Sequence, residues 1–199
     1  MLSIIKHKIE SLLKEHFEAS DVPVIEYVLD VDSAGPCYTR IANKPTIIVN
    51  NNERDFCSFI FQYSHEYTHH IMHTLYPCVF YHYDWFEEII CEAISYWCLK
   101  WFATHFDWAR YGIPAYPYHM QLFMQIELDK HYQDDSYIYI TDKYFKHELN
   151  FDIKRPRLKM SIDLYQALWE NEILWRTIKF YNPVLRPQET RRPEWLAFA

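Results

Sequence analysis

The sequence predicts an α+β domain that is mostly helical, with a small N-terminal sheet. Three observations predict it. Apolar residues recur at helical spacing over five stretches of the chain. Two β-rich runs, Val22 to Val31 and Thr46 to Val49, both fall in the first quarter. No repeat, low-complexity stretch or linker-like composition divides the 199 residues, so residues 1–199 are expected to form a single domain with a real hydrophobic core.

The elements follow in order. Residues 2–18 place Ile5, Ile9, Leu12, Leu13 and Phe17 on one stripe with charges between them, the pattern of an amphipathic helix. Val22 to Val31 reads as a strand, and Ser33-Ala34-Gly35-Pro36 as a turn. Thr46, Ile47, Ile48 and Val49 form a second strand, which Asn50-Asn51-Asn52 ends while offering an N-cap to the next helix. That helix is expected from about Glu53 to Leu75, stopped by Pro77. A tyrosine-rich loop, Cys78 to Tyr83, leads to a helix through Trp101. Asp84 at its N-cap and Glu87 at N3 have the form of a capping box. Beyond Gly112 the spacing predicts a helix over Met120 to Lys130 and a strand or extended loop at Tyr137 to Ile140. It then predicts a helix capped by Ser161 and running to about Phe180, and an irregular tail.

Composition narrows the function classes. A net charge of -7 argues against nucleic acid as a partner, because phosphate binders need a basic surface. Two glycines leave no room for a phosphate-cradling loop or a dinucleotide fingerprint. The five cysteines are odd in number and contain no C-x-x-C, which fits reduced thiols in a cytoplasmic protein. Charges interrupt the N-terminal apolar residues, so no signal peptide is expected, and no run is long enough to span a membrane.

The chemistry concentrates in His65-Glu66-Tyr67-Thr68-His69. On a helix His65 and His69 share a face, and Glu66 sits about 100° round the axis. Zinc-assisted hydrolysis needs two imidazole ligands, an open coordination position and a carboxylate to take a proton from water. The expected roles are therefore His65 and His69 as ligands of one Zn²⁺ per chain and Glu66 as general base. A third ligand is required. Glu88 and Glu92 sit four apart on an otherwise apolar helix, where an unpaired carboxylate is costly. His73 shares the face but lies about 12 Å from His65 along the axis, too far to join one ion with both. The competing reading is a purely structural helix, since a chain with 11 histidines can match H-E-x-x-H by chance.

Eighteen residues separate His69 from Glu88, and the string around it is Trp85-Phe86-Glu87-Glu88-Ile89-Ile90-Cys91. This resembles the gluzincin metallopeptidases, and aminopeptidase N-type enzymes in particular. They have H-E-x-x-H, eighteen residues, and then the ligand Glu of W-x-N-E-G-x-A. Trp85 and Glu88 match. Glu87 stands where the family has Asn, Ile89 where it has Gly, and Cys91 where it has Ala. The Gly position shapes the site for a free amine, so exopeptidase activity is not implied. Ile90-Cys91-Glu92-Ala93-Ile94-Ser95 resembles the thermolysin-type string N-E-A-I-S-D, which would choose Glu92; Tyr96 replaces its Asp. Spacing and the preceding Trp favour Glu88, leaving Glu92 as an outer carboxylate that holds a ligand imidazole. His82, thirteen past His69, is a less favoured third ligand of SprT-like kind.

The resemblance covers residues 45–105. It implies a minimal zincin-like domain: the H-E-x-x-H helix, a glutamate helix and C-terminal helices. It also implies a zinc metallopeptidase acting on a peptide or protein. In zincins an edge strand before the active-site helix pairs with substrate, and Thr46, Ile47, Ile48 and Val49 occupy that position. Tyr116, Tyr118, His119, His131 and Tyr132 are expected to include a donor for the oxyanion. The alternative is a zincin-like regulatory or binding protein that is selective, latent or inactive, with the arginine-rich tail from Arg186 as a segment able to cover the zinc.

Overall fold

The computed structural model describes residues 1–42, 44–75, 84–132 and 154–179, with side chains from 1–42, 44–75, 87–126 and 160–178. The architecture is α+β and mostly helical. It comprises α1 (Leu2–His16), β1 (Glu26–Leu29), β2 (Cys37–Ile41), β3 (Lys44–Val49), α2 (Phe56–Leu75), α3 (Asp84–His105), a 3-10 turn (Ala109–Tyr111), α4 (Tyr116–Tyr132), α5 (Lys154–Glu170) and α6 (Ile173–Lys179). None of the described helices is long and apolar enough to cross a membrane.

Helix α1 buries Ile5, Ile9, Leu12 and Leu13 against α2. It ends because Glu18 turns to φ 49, after which Glu18 N–H donates to the Glu15 carbonyl at 3.1 Å and Ala19 N–H to the Lys14 carbonyl at 2.8 Å. Those two bonds are a Schellman closure with a glutamate in the left-handed position that glycine normally fills.

The sheet has the order β1-β3-β2. β1 runs parallel to β3 with Glu26 opposite Thr46 and Leu29 opposite Val49. β2 and β3 are an antiparallel pair, with Cys37 opposite Ile48 and Ile41 opposite Lys44. The stretch expected to be a substrate-binding edge, Thr46, Ile47, Ile48 and Val49, is therefore the central strand, hydrogen-bonded on both sides. Ile47 and Val49 are wholly buried, and that apolar character is what places the strand in the middle. The edges are β1 and β2, and the sequence reading passed over β2.

Asp55 caps α2: its Oδ1 accepts the Ser58 N–H at 3.0 Å. Of the expected asparagine caps, Asn52 accepts the N–H groups of Arg54 and Asp55 and shapes the turn just before it. The helix is buried almost all round, and its hydroxyls bond their own backbone, Thr68 Oγ1 to the Ser64 carbonyl at 2.8 Å and Ser64 Oγ to that of Ile60 at 2.6 Å. α3 lies antiparallel to α2: Glu87 meets His69 and His73, while eight to nine residues later Tyr96 meets Phe61 with ring centroids 5.2 Å apart. On its other side α3 packs on α4 and α5. Ser161 is not a cap. It lies inside α5, wholly buried, and donates to Glu92 Oε2 at 3.3 Å. The loop from Cys78 to Tyr83, the strand expected at Tyr137 to Ile140 and the tail from residue 183 lie outside the described residues.

Candidate metal centre

Two consecutive turns of α2 present His65 and His69, and the first described turn of α3 presents Glu88. The two imidazole Nε2 atoms are 3.3 Å apart. Glu88 Oε2 is 3.4 Å from His65 Nε2, and Glu88 Oε1 is 3.4 Å from His69 Nε2. Two nitrogens and a carboxylate thus form a nearly equilateral triangle. Three ligands held about 2.0–2.1 Å from one zinc at tetrahedral angles would stand about 3.3–3.4 Å from each other; each imidazole has a Glu88 oxygen at that distance, Oε2 for His65 and Oε1 for His69, so the donor types and spacing suit that ion once the carboxylate turns toward it.

The surroundings set the state of each group. His69 donates from Nδ1 to Glu87 Oε1 at 2.5 Å, which leaves its Nε2 facing Glu88 and His65. His73 Nε2 donates to the same Glu87 oxygen at 3.0 Å. Burial resists the charge on Glu87 and on Glu88, but the imidazoles they face outweigh it and hold both carboxyls below the usual range, Glu88 well below. Burial also opposes the imidazolium of His69; the contacts of Cys91, Glu87 and Glu88 more than offset it and raise the ring.

Glu66 is buried beside this triangle. Burial pushes its carboxyl up, against the pull of His65, His69 and a Tyr38 main-chain hydrogen bond, and Glu88 adds like-charge repulsion. A carboxylate with raised proton affinity, next to a site for a polarised water, is what a general base requires. A cleft of about 380 Å³ opens onto these groups, with Pro36, Cys37 and Tyr38 on one wall and Glu66, His69, His73, Glu87 and Glu88 on the other.

Cys91 offers a second donor set with His65 and His69, their ligand atoms lying within 4.8 Å of one another. Burial pushes the Cys91 thiol up to about 12 in the metal-free site, and a bound metal would deprotonate it, so Cys91 is the alternative third ligand to Glu88. Glu88 is held in its ionised form and lies between the two rings.

The structure thus brings together His65, Glu66, His69 and Glu88. It does not bring Glu92 to the imidazoles. One turn beyond Glu88, Glu92 faces α5 and takes the Ser161 hydroxyl; the carboxylate that holds a ligand ring is Glu87. Glu87, expected as the N3 member of a capping box, bonds both His69 and His73. Tyr116 is also away from the site: its hydroxyl accepts the Cys57 N–H at 3.0 Å at the start of α2, about 12 Å along the axis from His65. Tyr118 is 67% exposed and sits against His119 in the first turn of the same helix α4. His82 and the side chains of His131 and Tyr132 lie outside the described residues. Tyr38 was missed. It lines the cleft, and its hydroxyl stands 3.3 Å from His70 Nδ1. The signal for β2 was the β-prone Tyr38-Thr39-Arg40-Ile41 between one turn and a short Ala42 reversal at φ 49.

Searched against protein-family models, curated proteins and solved structures, the chain matches none. The reading of the site therefore rests on its own geometry.

Proposed function

We propose that this chain is a zinc-dependent peptidase with a minimal zincin-like domain of gluzincin type. The observation that carries the reading is the triangle of His65 Nε2, His69 Nε2 and a Glu88 carboxylate, with edges of 3.3 to 3.4 Å, flanked by the buried Glu66. Zinc held there would supply Lewis acidity to a water and to the scissile carbonyl. The chain's residues do the rest. His65, His69 and Glu88 hold the ion. Glu87 fixes the tautomer of His69 by accepting its Nδ1 proton. Glu66 accepts the proton of the attacking water on its carboxylate and passes it to the departing amine nitrogen. An extended peptide would lie along β2, the edge strand that bounds the cleft, where it would compete with Glu66 for the Tyr38 main chain.

The test is a metal analysis paired with one substitution. Purified protein is expected to hold one zinc per chain. Glu66→Gln should keep that zinc and cut the hydrolysis of a peptide library by about 10²–10⁴-fold. Protein without zinc that gains none on titration, or a Glu66→Gln variant that cleaves as before, would refute the reading.

A further inference from the structure

A second cleft, of about 700 Å³, lies between α1 and the C-terminal end of α3. It is roughly 20 Å along the α3 axis from Glu88, at 1.5 Å per residue. Lys8 and Arg110 line it, with His105 and with His7, whose ring already meets the Glu10 carboxylate at 3.3 Å, and Asp107 is the acid among the lining residues. Asp107 is already used: its carboxylate accepts the Arg110 main-chain N–H at 3.2 Å. Neither Lys8 nor Arg110 forms an ion pair among the described residues. In a chain of net charge -7 this is a cationic recess on an acidic molecule.

The aromatic residues of the recess act as supports for the cations. The Lys8 ammonium sits 4.8 Å over Trp101, and the His105 ring stacks on the same indole at 5.4 Å and 13°. The Arg110 guanidinium lies 6.0 Å from the Tyr111 ring, which itself stacks on Phe106 at 5.4 Å and 12°. Cation–π contact of this kind holds a flexible side chain in place and lowers the entropy lost when it meets an anion. It also occupies the ring surfaces that a nucleobase would stack on. The recess thus has two cations, each beside an aromatic ring.

We infer that this cleft docks an acidic peptide segment, a stretch of Asp and Glu side chains whose carboxylates meet Lys8 and Arg110. The inference does not depend on a metal at the other site. A short fluorescein-labelled Asp/Glu-rich peptide, followed by anisotropy with the full chain, tests it. Binding should weaken with added salt and should be about tenfold weaker for the same peptide with Gln and Asn in place of its acids. Lys8→Glu with Arg110→Glu should lower the affinity about tenfold, with folding checked by circular dichroism. If that pair fails to fold, Arg110→Gln with His105→Gln, both on exposed side chains, is expected to show a smaller loss in the same direction. Equal binding of the uncharged peptide, or no change in the folded variants, overturns the inference. So does displacement of the peptide by adenosine monophosphate, which would mark a nucleotide site, or binding that tracks self-association in light scattering.

Discussion

His69 is gripped at both ring nitrogens, Nδ1 by Glu87 and Nε2 by the triangle with His65 and Glu88. The Glu87 contact costs the molecule a buried carboxylate, and what it gains is a fixed tautomer with the Nε2 lone pair directed at the site. Glu87→Gln keeps the shape but loses the charge, and an amide can present either an acceptor or a donor to the ring. We expect zinc affinity to fall about 10–100-fold, read by competition with a chromogenic chelator, while the fold persists. His65, Glu66, His69 and Glu88 were all legible as a set, because helical periodicity and an eighteen-residue gap are properties of the chain itself. The part played by Glu87 was not. Its position three residues after Asp84 has a ready local explanation in a capping box, whereas its partners His69 and His73 lie 18 and 14 residues back on another helix. Glu92 failed for the same reason in reverse. Sharing a face with Glu88 by spacing does not say which neighbour covers the next turn, and α5 covers it.

Among the elements, α1, α2 and α3 were legible to within a few residues, α1 from its 3.6-residue stripe and the other two as long apolar runs, whereas the helix expected from Ser161 to Phe180 is two, α5 from Lys154 to Glu170 and α6 from Ile173. The sheet was less so. A short apolar run reads as a strand from sequence, but its place in the sheet depends on what pairs with it, and β2 was hidden by its exposed and half-exposed residues. Ser161 misled because the same hydroxyl that caps a helix can also sit in its interior and bond a carboxylate on a neighbour.

Two predictions belong to this scale. Glu18 holds φ 49 at the end of α1, a conformation that costs a residue with a Cβ roughly 1–2 kcal/mol. Glu18→Gly removes that strain but adds backbone freedom to the unfolded chain, and the net expected is a stabilisation of up to about 1 kcal/mol, seen as a melting temperature higher by about 2–4 °C. His16, in the last turn of the same helix, stacks on Trp175 at 4.4 Å and meets Trp97 edge-on at 4.8 Å. Burial there lowers its pKa, against the opposing pull of Glu15 and Glu172. A depressed histidine means that the fold prefers the neutral ring. Its contribution is complete above the ordinary value of about 6.5 and is lost as the pH falls below that value toward the folded one. His70, lowered chiefly by burial against α2's surroundings, acts in the same direction. Stability should therefore drop between pH 7 and 5, and His16→Phe, which keeps the stacking, should make that drop shallower in thermal melts.

At the scale of the whole molecule, α2 is the shared wall: α1 and the sheet lie against it on one side and α3 on another. Its two site histidines and the Glu88 of α3 come together only when those helices pack, because eighteen residues of chain separate His69 from Glu88. An ion bound to all three therefore stabilises the packed α2–α3 pair and has no matching site in the unfolded chain. The size of that linkage follows from mass action. Free zinc at about 100 times its dissociation constant would add about 2.7 kcal/mol. For a chain of this length that is a rise in melting temperature of about 5–10 °C. Stripping with a chelator should lower the melting temperature by that amount, and stoichiometric zinc should restore it. Glu66→Gln, which leaves the ligands intact, should show the full shift, and Glu88→Ala should show almost none. Cys91→Ala should keep the shift despite the cavity it leaves, because a Glu88 oxygen faces each imidazole Nε2. A zinc shift lost in Cys91→Ala but kept in Glu88→Ala would move the third ligand from the carboxylate to the sulfur. The centre would then be a His₂Cys site, and the role of Glu66 would have to be argued again from that donor set.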